Sequence, residues 1–114
     1  MEIINIGTDI EEVKRIARLN AGTLERVFTR EELAYAREKA NPPQHLAARF
    51  AAKEAVFKTL PFEGIALKKI EIIKEEGQKP RVEVKDKRAA KINFKLSLSH
   101  TKDYACAVVL AYKK

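Results

Sequence analysis

The chain has 114 residues, the length of one domain, and 46% of them are hydrophobic, which is enough to form a core. No run of about 18 apolar residues is present, which excludes a membrane-spanning helix, and the first residues lack the basic region and apolar stretch of a secretory signal. The formal net charge of +7 favours an anionic partner (nucleic acid, a nucleotide or an acidic protein), although the interleaved charge signs weaken the nucleic-acid interpretation. We therefore expect a cytoplasmic protein with a single domain, 1–114, in which the one cysteine, Cys106, is a buried small hydrophobe.

The chain begins with a predicted strand and a predicted helix. Residues 3–10 are rich in Ile, which predicts a short strand broken by Gly7. Asp9 follows this glycine at the strand's end, where side chains often face a cleft, but it is also placed to cap the helix predicted over 11–19. Taken alone, its sequence position favours the cap. The predicted helix has a basic edge, made of Lys14, Arg15 and Arg18.

A capping box predicts the second helix. Residues 20–23 close the first helix, and Thr29 is then followed three residues later by Glu32, the spacing in which each side chain caps the other's backbone N–H. This helix is predicted to run to about Lys39. The segment 41–43, Asn-Pro-Pro, ends it, because neither proline can continue a helix.

The third helix, predicted from about His45 to just before Pro61, is the longest and contains neither glycine nor proline. Its apolar residues predict a core helix, yet charged residues lie within it. Glu54 and Lys58 are four residues apart, so they lie one turn from each other on the same face. The helix by itself favours a core helix whose charges form surface pairs; the alternative is a helix that carries a metal ligand and a phosphate-binding cation.

The second half of the chain is predicted to form antiparallel strands. Alternation of apolar and charged residues predicts a hairpin of two strands, over 67–73 and 81–85, joined by a turn at 75–80. A polar stretch follows, and further strands are predicted over 94–98 and 104–112, the last of them largely buried. The predicted fold class is therefore α+β, with an N-terminal strand, helices including a long central one, and then antiparallel strands.

Three separate places in the sequence carry residues suited to phosphate chemistry. Asp9 and Glu54 are a reasonable pair of ligands for Mg²⁺, which prefers oxygen and usually takes one or two protein carboxylates. Lys58 is suited to neutralising phosphate oxygens whose charge shifts during transfer, and His100 with Thr101 to binding or protonating another phosphate. Periodicity cannot show that these residues meet, and each has an ordinary structural alternative.

Three motifs together span nearly the whole chain. The first is Gly-Thr-Asp-Ile-Glu-Glu-Val-Lys-Arg-Ile at 7–16, the second is Arg-Phe-Ala-Ala-Lys-Glu-Ala at 49–55 followed by Lys58, and the third is Leu-Ser-Leu-Ser-His-Thr-Lys-Asp-Tyr-Ala at 96–105. In order and spacing they resemble the motifs of the holo-acyl-carrier-protein synthases, the small 4′-phosphopantetheinyl transferases. The length of the chain is also typical of that group.

The resemblance implies a reaction, a cofactor and roles for residues. It implies transfer of 4′-phosphopantetheine from coenzyme A to a serine of apo acyl carrier protein in fatty acid biosynthesis, with Mg²⁺ required and adenosine 3′,5′-bisphosphate released. It also implies that Asp9 and Glu54 bind the metal and that Lys58 stabilises the leaving phosphate, so these three are the catalytic residues. The acceptor of the serine proton stays open between a metal-bound water and Glu54. The residues implied to bind coenzyme A are Arg49, Lys58, His100 and Thr101.

The same resemblance implies two kinds of protein contact. Acyl carrier proteins are acidic, and the family docks them on its first helix, where Arg15 matches a family position and Lys14 and Arg18 are added on charge alone. Family members of this size are homotrimers with active sites at subunit interfaces. Arg37 and Lys39 are therefore expected to reach a neighbour's nucleotide. No nucleic-acid or membrane partner is expected.

The chain departs from the family pattern near the expected coenzyme A site. The family often has a Gly-rich turn after the central helix, but residues 60–64 contain a single glycine, Ala48 replaces a common Gly, and Phe57 replaces a small polar residue. Two other interpretations compete with the enzyme. A small basic RNA-binding protein explains the net charge but gives no reason for Asp9 and Glu54, and a catalytically silent coenzyme-A-binding relative requires that the altered turn prevents productive binding.

Overall fold

Two antiparallel sheets and four helices make up the fold, in the computed structural model that describes residues 1–114. The predicted class, α+β with a long central helix before antiparallel strands, is confirmed. None of the helices combines the length and the hydropathy needed to span a bilayer. Single 3₁₀ turns precede β2 and β4, at Leu67–Lys69 and Lys87–Ala89. The elements in chain order are β1 (Glu2–Glu12), α1 (Val13–Ala17), α2 (Ala21–Val27), α3 (Arg30–Arg37), α4 (Pro42–Thr59), β2 (Ile70–Ile73), β3 (Arg81–Val84), β4 (Asn93–His100) and β5 (Tyr104–Lys113).

Helix α4 packs across the inner face of the three-stranded sheet, whose strand order is β1-β5-β4. Small side chains line both surfaces, so helix and sheet approach closely. On β5 the buried residues alternate along the strand and are Ala105, Ala107, Val109 and Ala111. On α4 the fully buried alanines are Ala47, Ala51, Ala52 and Ala55. Close packing of this kind leaves little freedom in where α4 holds its charged residues over the sheet.

The prediction that Gly7 breaks the first strand is wrong. Strand β1 continues through it, with Gly7 opposite Val109 in the ladder with β5. A Cβ atom at residue 7 would lie 2.0 Å from the carbonyl oxygen of Ala55 in α4. The glycine is therefore required by the close approach of the helix backbone rather than by a bend in the strand.

Helix boundaries in the first half of the chain also differ from prediction. Helix α1 begins two residues late, because Glu11 and Glu12 still pair with β5. The sequence patterns miss α2: the segment assigned to the end of the first helix is the start of a second, where the Asn20 side chain accepts the Thr23 N–H at 2.8 Å. Helix α4 starts at Pro42, before the predicted start, because proline suits a first helical turn whose N–H groups have no partner.

The strands of the second half are confirmed with adjusted limits. Only the last four residues of the predicted strand 67–73 form β2, since the first three wind into a 3₁₀ turn. Strand β4 extends beyond the predicted 94–98 and reaches His100. Cys106 is half-buried rather than buried, because it lies on the outer face of the sheet. Strand β5 is therefore buried on one face only.

A buried ion pair joins α3, α4 and β2. Lys53 and Glu32 have almost no exposed surface and lie 2.8 Å apart. Lys53 also donates to the carbonyl oxygens of Leu67, in the 3₁₀ turn before β2, and of Ile70, the first residue of β2. Glu32 completes the predicted capping box with Thr29, at 2.8 and 3.1 Å. The Thr29 hydroxyl in turn donates to Glu71 at 2.7 Å. These buried charges are hydrogen-bonded as well as paired, which is what makes their burial tolerable.

Candidate active site

Asp9 lies on the face of β1 that is covered by α4. It pairs in register with Ala107, a fully buried residue of β5. It does not cap α1, whose N-cap residue is Glu12 and has no side-chain cap hydrogen bond. The strand therefore presents the Asp9 carboxylate to the central helix, and the interpretation of Asp9 as a cap is wrong.

Glu54 and Lys58 come from successive turns of α4 above this strand. The Lys58 ammonium donates to the Thr8 carbonyl oxygen at 2.8 Å and lies 3.4 Å from Asp9 Oδ1. Burial raises the pKa of Glu54, and the charge of Asp9 raises it further. The structure thus brings together the three residues expected to be catalytic, although β1 and α4 are distant in sequence.

Glu11 is a third carboxylate at this place, and the sequence patterns miss it. It is only 8% exposed, and burial, followed by the neighbouring carboxylate of Asp9, raises the pKa of Glu11 to about 7. Its one ion pair joins Oε1 to Nη1 of Arg15 at 2.5 Å. The sequence did contain a signal for Glu11, because residues two apart in a strand lie on the same face of the sheet. Extending the first strand past Asp9 would have placed Glu11 beside it.

A divalent cation fits this group of side chains. Asp9 Oδ2 is buried and has no hydrogen-bond partner. The three carboxylates face two cationic side chains, those of Lys58 and Arg15, and both of these are more than half exposed. No three side chains form a ligand set by themselves. This is compatible with Mg²⁺, which keeps several waters and is held by one or two carboxylates plus substrate phosphates. The expectation that Asp9 and Glu54 hold it stays a prediction.

Arg49 and His100 meet at a different place, a cavity of about 220 Å³ bounded by α3, α4, β4 and the turn between β2 and β3. No acidic residue lines this cavity, whereas His45 and Lys74, both missed by the sequence patterns, do. Arg49 is 4% exposed, its Nε has no partner, and burial lowers the pKa of its guanidinium. Burial and the charge of Arg49 also lower the pKa of His45. A buried guanidinium with an unused donor suits a phosphate group.

Thr101 does not line this cavity. Its hydroxyl accepts the backbone N–H groups of Tyr104 at 3.1 Å and Asp103 at 3.3 Å, in the turn between β4 and β5. The Gln44 side chain donates to the Thr101 carbonyl oxygen at 2.9 Å. Thr101 therefore ties this turn to the first turns of α4, next to His100.

Arg49 and Glu54 lie on different sides of α4. Five residues at about 100° each place them about 140° apart around the helix axis and about 7.5 Å apart along it. Arg49 stacks on Tyr35 of α3, whereas Glu54 faces Asp9 of β1. The carboxylates of Asp9, Glu11 and Glu54, here called the acidic group, therefore lie on one side of α4. The cavity lined by Arg49, His100, His45 and Lys74, here called the cationic cavity, lies on another side.

The basic side chains expected to contact partners are all exposed. On and just after α1 they are Lys14, Arg15 and Arg18. The Arg15 guanidinium also lies 5.6 Å from the ring of Phe50. Arg37 and Lys39 are exposed at the end of α3, and the Lys39 ammonium lies 4.5 Å from the Tyr35 ring. Their roles in docking and in a neighbour's site stay predictions.

Comparison with known proteins gives one consistent result. The model of the 4′-phosphopantetheinyl transferase superfamily matches residues 5–109. A holo-[acyl-carrier-protein] synthase of Caldanaerobacter subterraneus subsp. tengcongensis is 44% identical, over 97% of this chain and 95% of that protein. The crystal structure of a holo-(acyl-carrier-protein) synthase from Bacillus anthracis, in complex with CoA (3′,5′-ADP), matches with a TM-score of 0.86 and 29% identity over all of both chains. The synthase of Neisseria meningitidis matches with a TM-score of 0.84 and 33% identity, over 97% of this chain and 99% of that one.

Proposed function

The chain belongs to the 4′-phosphopantetheinyl transferase superfamily, and on that premise we propose how its residues carry out the family's reaction. The enzyme transfers 4′-phosphopantetheine from coenzyme A to a serine hydroxyl of apo acyl carrier protein, releases adenosine 3′,5′-bisphosphate, and serves fatty acid biosynthesis. What carries the proposal is the meeting of Asp9, Glu54 and Lys58 in a chain that matches the family over nearly its whole length. Residues 1–114 form one transferase domain, which works in the cytoplasm, where coenzyme A is available.

Asp9 and Glu54 hold Mg²⁺ in this proposal. The unpartnered, buried Asp9 Oδ2 supports the assignment, because a buried carboxylate oxygen without a donor is costly unless a ligand satisfies it. When bound, the metal would neutralise negative charge on the diphosphate oxygens of coenzyme A and so make the phosphorus easier to attack. Glu11 lies beside this pair and, with its pKa raised to about 7, adds a full negative charge to it only above neutral pH.

Lys58 contacts the diphosphate and stabilises the charge that develops on the leaving adenosine bisphosphate. Its ammonium has three donors, of which one bonds the Thr8 carbonyl oxygen and one points to Asp9. The third donor is free for a phosphate oxygen. Because Lys58 is half exposed and anchored to the strand that carries Asp9, its charge is held next to the metal ligands without being buried.

The cationic cavity receives the nucleotide end of coenzyme A. Arg49 and His100 hold the 3′-phosphate there, with the support of His45 and Lys74. Thr101 acts from the edge of the cavity, through the turn that it closes beside His100. The acidic group and the cavity lie on different sides of α4. In a homotrimer with active sites at subunit interfaces, one coenzyme A molecule would therefore take its metal ligands from one subunit and its 3′-phosphate site from the cavity of the neighbour. An extended ligand with two separate phosphate groups suits this arrangement.

Exposed apolar residues on the outer face of the three-stranded sheet support a homotrimer. Ile6, Ile10 and Val108 are 63%, 65% and 49% exposed and lie together on β1 and β5. Patches of this kind mark interaction sites, and a chain this small gains stability by burying them between copies. Light scattering after size exclusion is expected to give three times the mass of the chain, and Val108→Lys is expected to reduce it. A monomeric mass for the unaltered protein would overturn the trimer.

Carrier docking is assigned to the exposed basic edge of α1. Arg15 lies between Glu11 and the open surface, and Lys14 and Arg18 extend the positive charge along the helix. An acidic carrier protein would be steered to this edge in a salt-dependent way. The edge begins directly after the strand that carries Asp9, so a docked carrier would present its serine near the metal ligands.

Mass spectrometry of the carrier tests the reaction directly. The purified protein is incubated with coenzyme A, Mg²⁺ and an apo acyl carrier protein, and the carrier is expected to gain the mass of one phosphopantetheine. Chelation of the divalent cation is expected to stop the gain. A carrier whose mass stays unchanged under varied conditions would refute the proposed enzymatic function. Binding of coenzyme A without transfer would point to the catalytically silent relative instead.

A further inference from the structure

One aromatic ring, that of Tyr35, contacts three basic side chains at the cationic cavity. The Cζ atom of Arg49 lies 4.1 Å from its centroid and the Nζ atom of Lys39 lies 4.5 Å from it. The ring of His45 meets it edge-on, with centroids 6.0 Å apart and an interplanar angle of 70°. Because the face of an aromatic ring carries negative charge density, it attracts cations without being an acid.

Arg49 needs such a neighbour. Only 4% of its surface is exposed, and its Nε has no hydrogen-bond acceptor. No carboxylate oxygen lies within 4 Å of its guanidinium nitrogens. Its one hydrogen bond is a long one, from Nη1 to the His45 carbonyl oxygen at 3.4 Å. A carboxylate in place of the ring would hold the guanidinium equally well, but it would also neutralise the charge and compete with an incoming phosphate.

We infer that Tyr35 is a positioning residue that holds Arg49 over its ring face and so makes the enzyme select donors carrying a 3′-phosphate. The inference rests on the proposed function, in which Arg49 binds the 3′-phosphate of coenzyme A. Tyr35 fixes the plane of the guanidinium and leaves its charge available to the ligand. Tyr35 stacks on Arg49, on a different side of α4 from Glu54, so we expect it to influence which donor binds and not the rate of the chemical step.

The test compares two donors, coenzyme A and 3′-dephospho-coenzyme A, by steady-state transfer to one carrier protein. The unaltered enzyme is expected to show a lower KM for coenzyme A. In Tyr35→Leu the KM for coenzyme A is expected to rise about tenfold, since a desolvated cation–π contact is worth about this much. The KM for the dephosphorylated donor and the kcat for both are expected to stay unchanged. Tyr35→Phe keeps the ring and is expected to behave like the unaltered enzyme.

The outcomes separate the inference from the proposed function. Absence of transfer by the unaltered enzyme would refute the function, and equal KM values for both donors would refute the phosphate role of Arg49 and the inference with it. Unchanged discrimination in Tyr35→Leu, or lost discrimination in Tyr35→Phe, would overturn the inference while the function stands. If Tyr35→Leu fails to fold by circular dichroism, Tyr35→Met fills the space with an unbranched side chain and gives the same comparison.

Discussion

Replacement of Gly7 by alanine is expected to destabilise the protein, because α4 rests on β1 at this residue. The new Cβ would lie 2.0 Å from the Ala55 carbonyl oxygen and 3.0 Å from the Thr59 methyl group. Real Cβ contacts do not fall below 3.0 Å, so the helix must move away by about 1 Å. Overpacking of this kind costs about 1–3 kcal/mol. Since 1 kcal/mol shifts Tm by about 4 °C in a chain of this size, we expect Tm to fall by about 4–12 °C.

The same movement reaches the catalytic residues. Asp9 lies two residues beyond Gly7 in β1, and Glu54 and Lys58 lie on either side of Ala55 in α4. The contacts of Lys58 with β1, at 2.8 and 3.4 Å, would lengthen with the helix displacement. Misplacement of reacting groups by about 1 Å can cost about 100-fold in rate, so we expect kcat/KM for transfer to fall by about that factor.

Thermal unfolding by circular dichroism and transfer rates by mass spectrometry test both parts of this prediction. Gly22→Ala is the matched control, because a Cβ there would meet no atom closer than 3.5 Å and alanine is the better helix former. It is expected to melt at or above the temperature of the unaltered protein. If Gly7→Ala has the same melting temperature and the same transfer rate as the unaltered protein, α4 does not rest on β1 in the way described.

Three further substitutions test the site and the fold. Glu54→Gln is expected to abolish metal-dependent transfer, since it removes one of two metal ligands, while its circular dichroism spectrum stays unchanged. Arg15→Gln is expected to raise the KM for the carrier about fivefold, the equivalent of about 1 kcal/mol for an exposed ion pair, with no change in the KM for coenzyme A. Burial acts to raise the pKa of Glu71, but hydrogen bonds from Thr29 and Lys85 outweigh it and hold that pKa below its ordinary value. The stability from Glu71 is therefore present above about pH 4.5 and is lost as pH falls through its lowered pKa. Glu71→Gln is expected to cost about 2 kcal/mol at pH 7, for the lost hydrogen bonds to a charged group, and less at acidic pH.

Each of these substitutions has a control or a contrary outcome. Rapid transfer by Glu54→Gln would mean that another residue binds the metal, and Glu25→Gln, at an exposed position of α2, serves as the control. For Arg15→Gln, equal losses with carrier and coenzyme A would argue against docking on α1. For Glu71→Gln, a stability deficit that is constant from pH 7 to pH 3 would exclude an ionised Glu71 as its source.

The sequence by itself determined the class of fold and the family. Period-two and period-3.6 patterns predicted the strands and the central helix, because burial on one face leaves a local trace at each element. The capping box at Thr29 was predicted from spacing alone and is present with both hydrogen bonds. The motifs around Asp9, Glu54 and His100 pointed to the family through their residue types and order, without any knowledge of where the residues lie in space.

Only the tertiary structure decided how these residues group. Asp9 and Glu54 meet because small residues let α4 approach the sheet at Gly7, a contact that no local pattern encodes. Glu11 joins them because strand pairing carries β1 past the predicted helix start. Arg49 faces away from Glu54, toward Tyr35, because five residues of helix turn it to another side. Local sequence sets which backbone forms are favourable, but the packing of distant segments sets which side chains share a cavity, and in this enzyme the chemistry depends on the second.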